Sequence, residues 1–312
     1  MDRTLIWISV LLLAGLAGLY LLFRSVFVRS RKEETREGRE KYPKWLAAYA
    51  AQFAAGEIFL ETTPYETVSI SAFDGLMLRG RFYSAADAKG TLLLMHGYHS
   101  NAVDNFSCIA EFYYRLGYNL LLVSQRSHGD SDGKYICFGV KERFDCRDWA
   151  VYLSQRPDCC GKSIFLDGIS MGATTVLMAA GLDLPETVDG IIADSAFTSP
   201  WDIIADLAGR RYHLPAHPLC DGLSLLTQCI AGFRLKEYST PEAMRENRIP
   251  TLFVHGEGDR FVPYRMTIES HTACAAEKQL VIVPGAGHGG SYLIDRENCE
   301  TILRAFLERH TR

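Results

Sequence analysis

From Leu5 to Phe23 the chain runs 19 residues without a charge, and no helical phase gives this stretch a polar face. As a helix it would rise about 28 Å, against a hydrocarbon core of ~30 Å. Trp7 and Tyr20 sit near its ends, where amphipathic rings suit the membrane interface. Arg24, Arg29, Arg31 and Lys32 follow at once, whereas the other flank has only Arg3, offset by Asp2. The pattern predicts a single-pass transmembrane anchor within residues 1–28, with the rest of the chain on the cytoplasmic side. A signal peptide cleaved after Ala17 is the rival reading. It fits less well, because the apolar run continues beyond that site and exceeds the usual ~7–15 residues of a signal core.

Residues 29–61 read as a charged linker followed by an amphipathic helix. Arg29 to Lys41 is dense in charge, and Trp45 to Phe59 is apolar, aromatic and rich in alanine. This helix is expected to pack on the following domain, with contact to the membrane surface as the alternative.

Beyond it, Thr67 to Phe73 and Leu76 to Tyr83 alternate polar and apolar positions across Asp74-Gly75, a hairpin signal. Six short, continuously apolar runs follow: Thr91–Met95, Asn119–Val123, Ser163–Asp167, Gly190–Asp194, Pro250–Val254 and Gln279–Val283. Such runs fit strands buried on both faces. Helix-length segments separate most of them, at Asn101–Leu116, Lys141–Gln155, Met171–Ala180 and Pro263–Ala276, and Glu297–His310 closes the chain. Residues 62–312 are therefore expected to form one α/β domain, with a mostly parallel central sheet flanked by helices. The stretch of about residues 198–247 is too long for a simple crossover. It is broken by Pro200, Pro215, Pro218 and Pro241, and predicts a small helical cap.

Composition narrows the function. The 312 residues are 48% hydrophobic and 22% charged, with a net charge of −4. That is an ordinary globular balance, and it disfavours a general nucleic-acid-binding surface, which needs a basic excess. The nine cysteines are scattered without a C-x-x-C pair. They read as reduced thiols rather than zinc ligands or disulfide staples. No metal or cofactor is expected.

The chemistry concentrates at the ends of the apolar runs. Gly168-Ile169-Ser170-Met171-Gly172 follows one run and opens a helix-length segment. A serine on a sharp strand-to-helix turn, flanked by glycines, projects its oxygen as a nucleophile and aims the helix N–H groups at the reacting centre. A helix-capping serine is the plain alternative. Serine needs a general base, and the base needs an orienting acid. His288 lies in the Gly-rich turn after the last run, and Asp259 in the turn after the run before it. All three residues fall where open α/β sheets place their sites. Asp194 also ends a run and is a weaker candidate acid. His96, His128 and His255 read as structural, Glu257 as a solvated loop residue, and Cys108 and Cys137 have no evident base beside them.

The order Ser170, Asp259, His288 resembles the α/β-hydrolase superfamily over about residues 62–310. The closest likeness is to the Bem46-like hydrolases and to bacterial membrane-anchored hydrolases similar to them. It rests on His96-Gly97-Tyr98, Arg126 to Gly133, Gly168 to Gly172, Asp194-Ser195-Ala196-Phe197, His255 to Pro263 and Gly285 to His288. The resemblance implies a cofactor-free serine hydrolase. Its oxyanion hole would use the backbone N–H of Met171 and, by the His-Gly pattern, that of Tyr98. Tyr98, Phe197, Phe261 and Val262 are candidates for the substrate pocket.

The expected reaction is hydrolysis of carboxylic esters, with short or medium acyl groups because the cap is small, through an acyl-serine intermediate. Peptidase or amidase action is one alternative, and thioesterase or acyltransferase action on lipids another. A non-catalytic membrane-tethered scaffold is the alternative from a different class. The expected partners are a small-molecule or lipid ester and the membrane.

Overall fold

The computed structural model describes residues 3–29 and 46–312. The charged linker at 30–45 lies outside the described residues. The central element is a sheet of eight strands: β1 (Glu66–Ser71), β2 (Met77–Tyr83), β3 (Gly90–Met95), β4 (Tyr118–Ser124), β5 (Ser163–Ile169), β6 (Val188–Asp194), β7 (Thr251–Gly256) and β8 (Lys278–Val283). Their order across the sheet is β1-β2-β4-β3-β5-β6-β7-β8. β1 pairs antiparallel with β2, and β2 with β4. Every later pairing is parallel.

Alternation along each strand explains the continuous apolar runs. On β3, Leu93 and Met95 face one core, which also holds Leu121, Trp149, Val176 and Phe253. Leu92 and Leu94 face the other, with Phe106, Tyr113, Phe165 and Phe306. Both faces are covered, so no position along the strand can be polar without a partner.

The helices that cover these faces are α2 (Ala50–Thr62), α3 (Ala102–Arg115), α4 (Glu142–Gln155), α5 (Met171–Ala179), α9 (Arg265–Ala273) and α11 (Arg296–His310), with a single turn, α10 (Ser291–Ile294), before the last. Asn101 caps α3 by accepting the Asp104 N–H at 2.8 Å, which satisfies an orphan donor of its first turn. The helix expected near Trp45–Phe59 is α2, and it packs against α3. Phe53 and Leu60 are buried, and Gly56 lies so close to Ser107 that an added Cβ would sit 2.0 Å from its carbonyl oxygen.

The segment expected as a cap divides. Helices α6 (Pro200–Tyr212) and α7 (Ala216–Leu226), with the turn Thr227–Ala231, form the cap. Helix α8 (Thr240–Glu246) does not belong to it. Its Ala243 and Met244 are fully buried in the sheet's own core, against the α5 side.

The first helix, α1 (Arg3–Phe27), is the one helix among the described residues long and apolar enough to cross a membrane, a property that signal sequences share. Its far end does not stand apart from the domain. Phe23 and Phe27 are buried in a third apolar cluster with Phe138, Met171, Phe197, Trp201, Leu223 and Phe233. The chain leaving it is pinned by backbone hydrogen bonds: Ile136 N–H donates to Phe27 O at 2.8 Å, and Arg29 N–H to Lys134 O at 2.9 Å. The boundary expected after residue 28 therefore cuts through a packed core.

Candidate active site

Ser170 sits between β5 and α5 with φ 58° and ψ −115°. This is a strained backbone for a residue with a side chain. Its surroundings enforce it. A Cβ at Gly172 would meet the Met95 carbonyl oxygen at 1.8 Å, and one at Gly168 would meet the Gly172 carbonyl at 2.3 Å. Strand β3, strand β5 and the first turn of α5 are thus packed backbone against backbone, and the serine side chain is the group that projects. Ser170 N–H donates to Asp194 O at 2.8 Å, which ties the turn to β6.

The turns after β7 and β8 bring Asp259 and His288 to this serine. Ser170 Oγ lies 2.8 Å from His288 Nε2. His288 Nδ1 lies 2.6 Å from Asp259 Oδ2. An ionised carboxylate only accepts, so Nδ1 carries the proton and Nε2 is left to accept from the serine hydroxyl. Asp259 Oδ1 accepts the N–H groups of Phe261 at 2.8 Å and Val262 at 2.9 Å. Burial alone would raise the pKa of Asp259. The hydrogen bonds from His255 and His288, and attraction to both rings, outweigh it and hold the carboxyl well below the usual carboxylate range. Asp194 makes no such contact with the His288 ring. It accepts instead from Ser195 Oγ at 2.8 Å and Ser291 Oγ at 3.2 Å.

Opposite, the loop His96-Gly97-Tyr98 lies against the serine, with the Gly97 Cβ position 3.3 Å from Ser170 Cβ. Buried histidines hold this loop. His96 Nε2 accepts the Gln125 N–H at 3.1 Å, so its Nδ1–H donates to Gly97 O at 2.8 Å. Burial pulls the His96 pKa down to about 4, and the ring stays neutral. His128 repeats the arrangement, accepting from His99 N–H at 3.2 Å and donating to Arg126 O at 2.9 Å.

With this geometry in place, comparison with known proteins identifies the chain. Residues 92–301 match the model of a family described as the Alpha/beta hydrolase family. The chain belongs to the alpha/beta hydrolase family. It is 26% identical over 249 residues to the uncharacterized protein YqkD of Bacillus subtilis, covering 80% of each chain. It is 25% identical over 266 residues to protein bem46 of Schizosaccharomyces pombe, covering 82% of this chain and 83% of that one. A structure of the Pyrococcus furiosus esterase Pf2001 superposes with a TM-score of 0.65 at 22% identity, over 80% of this chain and 92% of that one; at that identity the likeness is one of fold.

Behind the serine of this hydrolase runs a cavity of about 510 Å³, between the sheet and helices α3 and α11. Tyr98 and Phe261, two of the four residues expected at a substrate pocket, line this cavity together with Phe53, Ile109, Val254 and Leu303. Phe197 and Val262 are not among the lining residues. Both are buried in the third apolar cluster, because the strand-end motifs that carry them turn their side chains towards the cap and α9 rather than towards α3. Among the described residues, no three His, Cys, Asp or Glu side chains converge where a metal ion could sit. Cys108 lines the cavity, but burial pushes its thiol up to about 11, away from thiolate chemistry. Cys137 is buried as well, and burial raises its thiol well above the ordinary range.

Several contributors escape sequence reading. Asn105 Oδ1 accepts the Gly97 N–H at 2.6 Å and so fixes the loop facing Ser170. Ser195 Oγ accepts the Gly289 N–H at 3.2 Å, one residue after His288. Asp167 lines the cavity with its Oδ2 accepting from Tyr113 Oη at 2.8 Å, and desolvation raises its pKa to about 7. The only sequence signal for Asp167 was an acid ending an apolar strand, and for Asn105 there was none, since it needs the folded approach of α3 to the loop.

Proposed function

We propose that this hydrolase cleaves carboxylic esters of short or medium acyl chains through an acyl-Ser170 intermediate. The observation that carries the reading is the unbroken hydrogen-bond chain from Ser170 Oγ through His288 to Asp259, at 2.8 Å and 2.6 Å. Ser170 Oγ attacks the ester carbonyl while its proton passes to His288 Nε2. The tetrahedral oxyanion is held by the backbone N–H groups of Met171 and Tyr98, such donors contributing ~3–4 kcal/mol each. Collapse breaks the C–O bond, and His288 returns the proton to the leaving alcohol. Water then repeats the sequence: it loses a proton to His288, attacks the acyl carbon, and Ser170 leaves with that proton restored. Asp259 holds the ring in the required tautomer and stabilises the imidazolium. The esterase likeness of the fold and the largely apolar cavity beside Ser170 support an acyl substrate.

We read α1 as a membrane anchor with the catalytic domain on its cytoplasmic side. The apolar helix and the cations that follow it support that orientation.

The test is turnover of a graded series of p-nitrophenyl esters by the full chain, beside the matching thioester and aminoacyl amide. We expect ester turnover that falls by at least about 10³-fold in Ser170→Ala, and labelling of the parent, not the variant, by a fluorophosphonate probe. Undiminished turnover in folded Ser170→Ala refutes the mechanism, and a preference for the amide makes the protein a peptidase or amidase.

A further inference from the structure

Helix α1 stands clear of the domain only in part. From Arg3 to Gly18 every described side chain is exposed, and burial begins at Leu19. The uncharged part of that stretch, from Leu5 to Gly18, rises about 21 Å. A hydrocarbon core of ~30 Å takes up about five or six residues more. The helix supplies them from Leu19 to Phe23, of which Leu19, Leu22 and Phe23 are already docked on the cap while Tyr20 and Leu21 stay exposed. Leu19 and Leu22 pack on the third apolar cluster, and Leu19 lies on Gly222 of α7 so closely that a Cβ there would meet its Cδ2 at 2.6 Å. The helix cannot span without drawing α7 down to the lipid.

The cap is suited to that position. Leu225 lies one turn along α7 from Gly222, hence on the same side of that helix, and is 61% exposed. Tyr212, Leu214 and Ile230 are further exposed apolar side chains of the cap. Arg24, two residues past Leu22, is exposed, at the level where a guanidinium meets lipid phosphates.

The same ruler locates the cavity. Tyr98, which lines it, donates its hydroxyl to Val26 O at 2.9 Å. Val26 is four residues past Leu22, about 6 Å along the helix, and the headgroup layer is ~5–7 Å thick on each side. The Tyr98 side of the cavity therefore sits at headgroup depth, the level at which the ester carbonyls of a membrane lipid lie.

We propose that α7 is a lipid-contacting surface beside the anchor, and that the cavity takes acyl esters from the adjoining leaflet of the bilayer rather than from bulk water. The surface rests on the anchor reading, and the substrate class rests on the ester-hydrolase reading.

The test uses the full chain in phosphatidylcholine nanodiscs. The exposed thiols Cys160 and Cys229 are first replaced by serine, and spin labels are attached in turn through Leu12→Cys, Leu225→Cys and Glu186→Cys. Collision with oxygen against a water-soluble nickel complex reads depth. We expect the Leu12 and Leu225 labels to be shielded from nickel and the Glu186 label to be open to it. A shielded Leu12 label with a Leu225 label as open as that at Glu186 overturns the surface while the anchor stands. An open Leu12 label overturns the anchor, and the surface with it. For the substrate, Leu225→Asp should weaken kcat/KM about tenfold on a diacylglycerol carried in the nanodisc, and leave kcat/KM on p-nitrophenyl butyrate unchanged. Equal effects on both esters, or turnover of the soluble ester alone by the parent, overturn the substrate class. Turnover of neither ester removes the ester reading itself.

Discussion

His255 Nε2 lies 3.1 Å from Asp259 Oδ2, on the carboxylate oxygen that also takes the Nδ1–H of His288. The same nitrogen is 3.0 Å from Val262 O, an acceptor only. Nε2 therefore carries a proton, and His255 is a donor that pins the acid of the hydrogen-bond chain. The ring is fully buried, and its Nδ1 is 2.7 Å from Thr267 Oγ1 on α9. In the proposed reaction His255 is a positioning residue that would act on the substrate only through Asp259.

Replacing His255 by Phe removes one donor from a buried carboxylate. Burial then pulls the Asp259 pKa back up towards its ordinary value. We expect kcat to fall at least about tenfold at neutral pH, as for the loss of one hydrogen bond to a charged group, and the far acid limb of the rate profile, where the Asp259 carboxylate takes up a proton, to move to higher pH. A profile of kcat against pH checks this. An unmoved acid limb would show that His255 only fills space.

Asp167 has the opposite electrostatics. Its folded pKa is raised to about 7 by desolvation, above an unfolded value of ~3.9. Between those values the folded state holds a proton that the unfolded state has lost, so this group lowers stability as pH rises from about 4 to about 7. Asp167→Asn should flatten that decline, and at pH 8 the variant should be the more stable by a few kcal/mol at most. Thermal unfolding of parent and variant across the range is the measurement. A parallel decline in both would show that the carboxyl is not neutral in the folded protein.

Phe27 is fully buried, with ring centroids 5.5 Å from Phe138 and 6.0 Å from Phe233. Truncating it to Ala opens a cavity in the third apolar cluster and should destabilise the protein by ~3–5 kcal/mol. Denaturant titration in detergent gives the value. A loss below ~1 kcal/mol would mean that the end of α1 is not part of the domain's core.

Gly172→Ala places a methyl 1.8 Å from the Met95 carbonyl oxygen, and both partners are backbone. Neither can give way without separating β3 from α5. We expect the variant to be insoluble or to lose several kcal/mol of stability, read as soluble yield and melting temperature. Normal melting with normal turnover would contradict the close approach that shapes the Ser170 turn.

The legibility of this chain follows from range. The strands were readable because both sheet faces are covered, which forces unbroken apolar runs such as Leu92-Leu93-Leu94-Met95. Ser170, Asp259 and His288 were readable because each stands at a strand end within a glycine-bearing turn, so the sequence marks the backbone as well as the side chain. Phe197 and Val262 misled because adjacency to a site motif does not give side-chain direction. Asn105 is matched by no motif, and although Ser195 and His255 lie inside motifs, their roles depend on hydrogen bonds to Gly289 and Asp259 that only the folded turns bring about.

By itself the sequence determined the fold class, the apolar first helix and which three side chains carry the expected chemistry, since these depend on periodicity and on local turn geometry. Tertiary structure alone decided that α1 ends inside the cap, that α8 belongs to the sheet's core, and that the cavity runs towards α3 and α11. Those outcomes depend on which apolar faces meet when the chain closes, and dispersion and burial are indifferent to sequence distance.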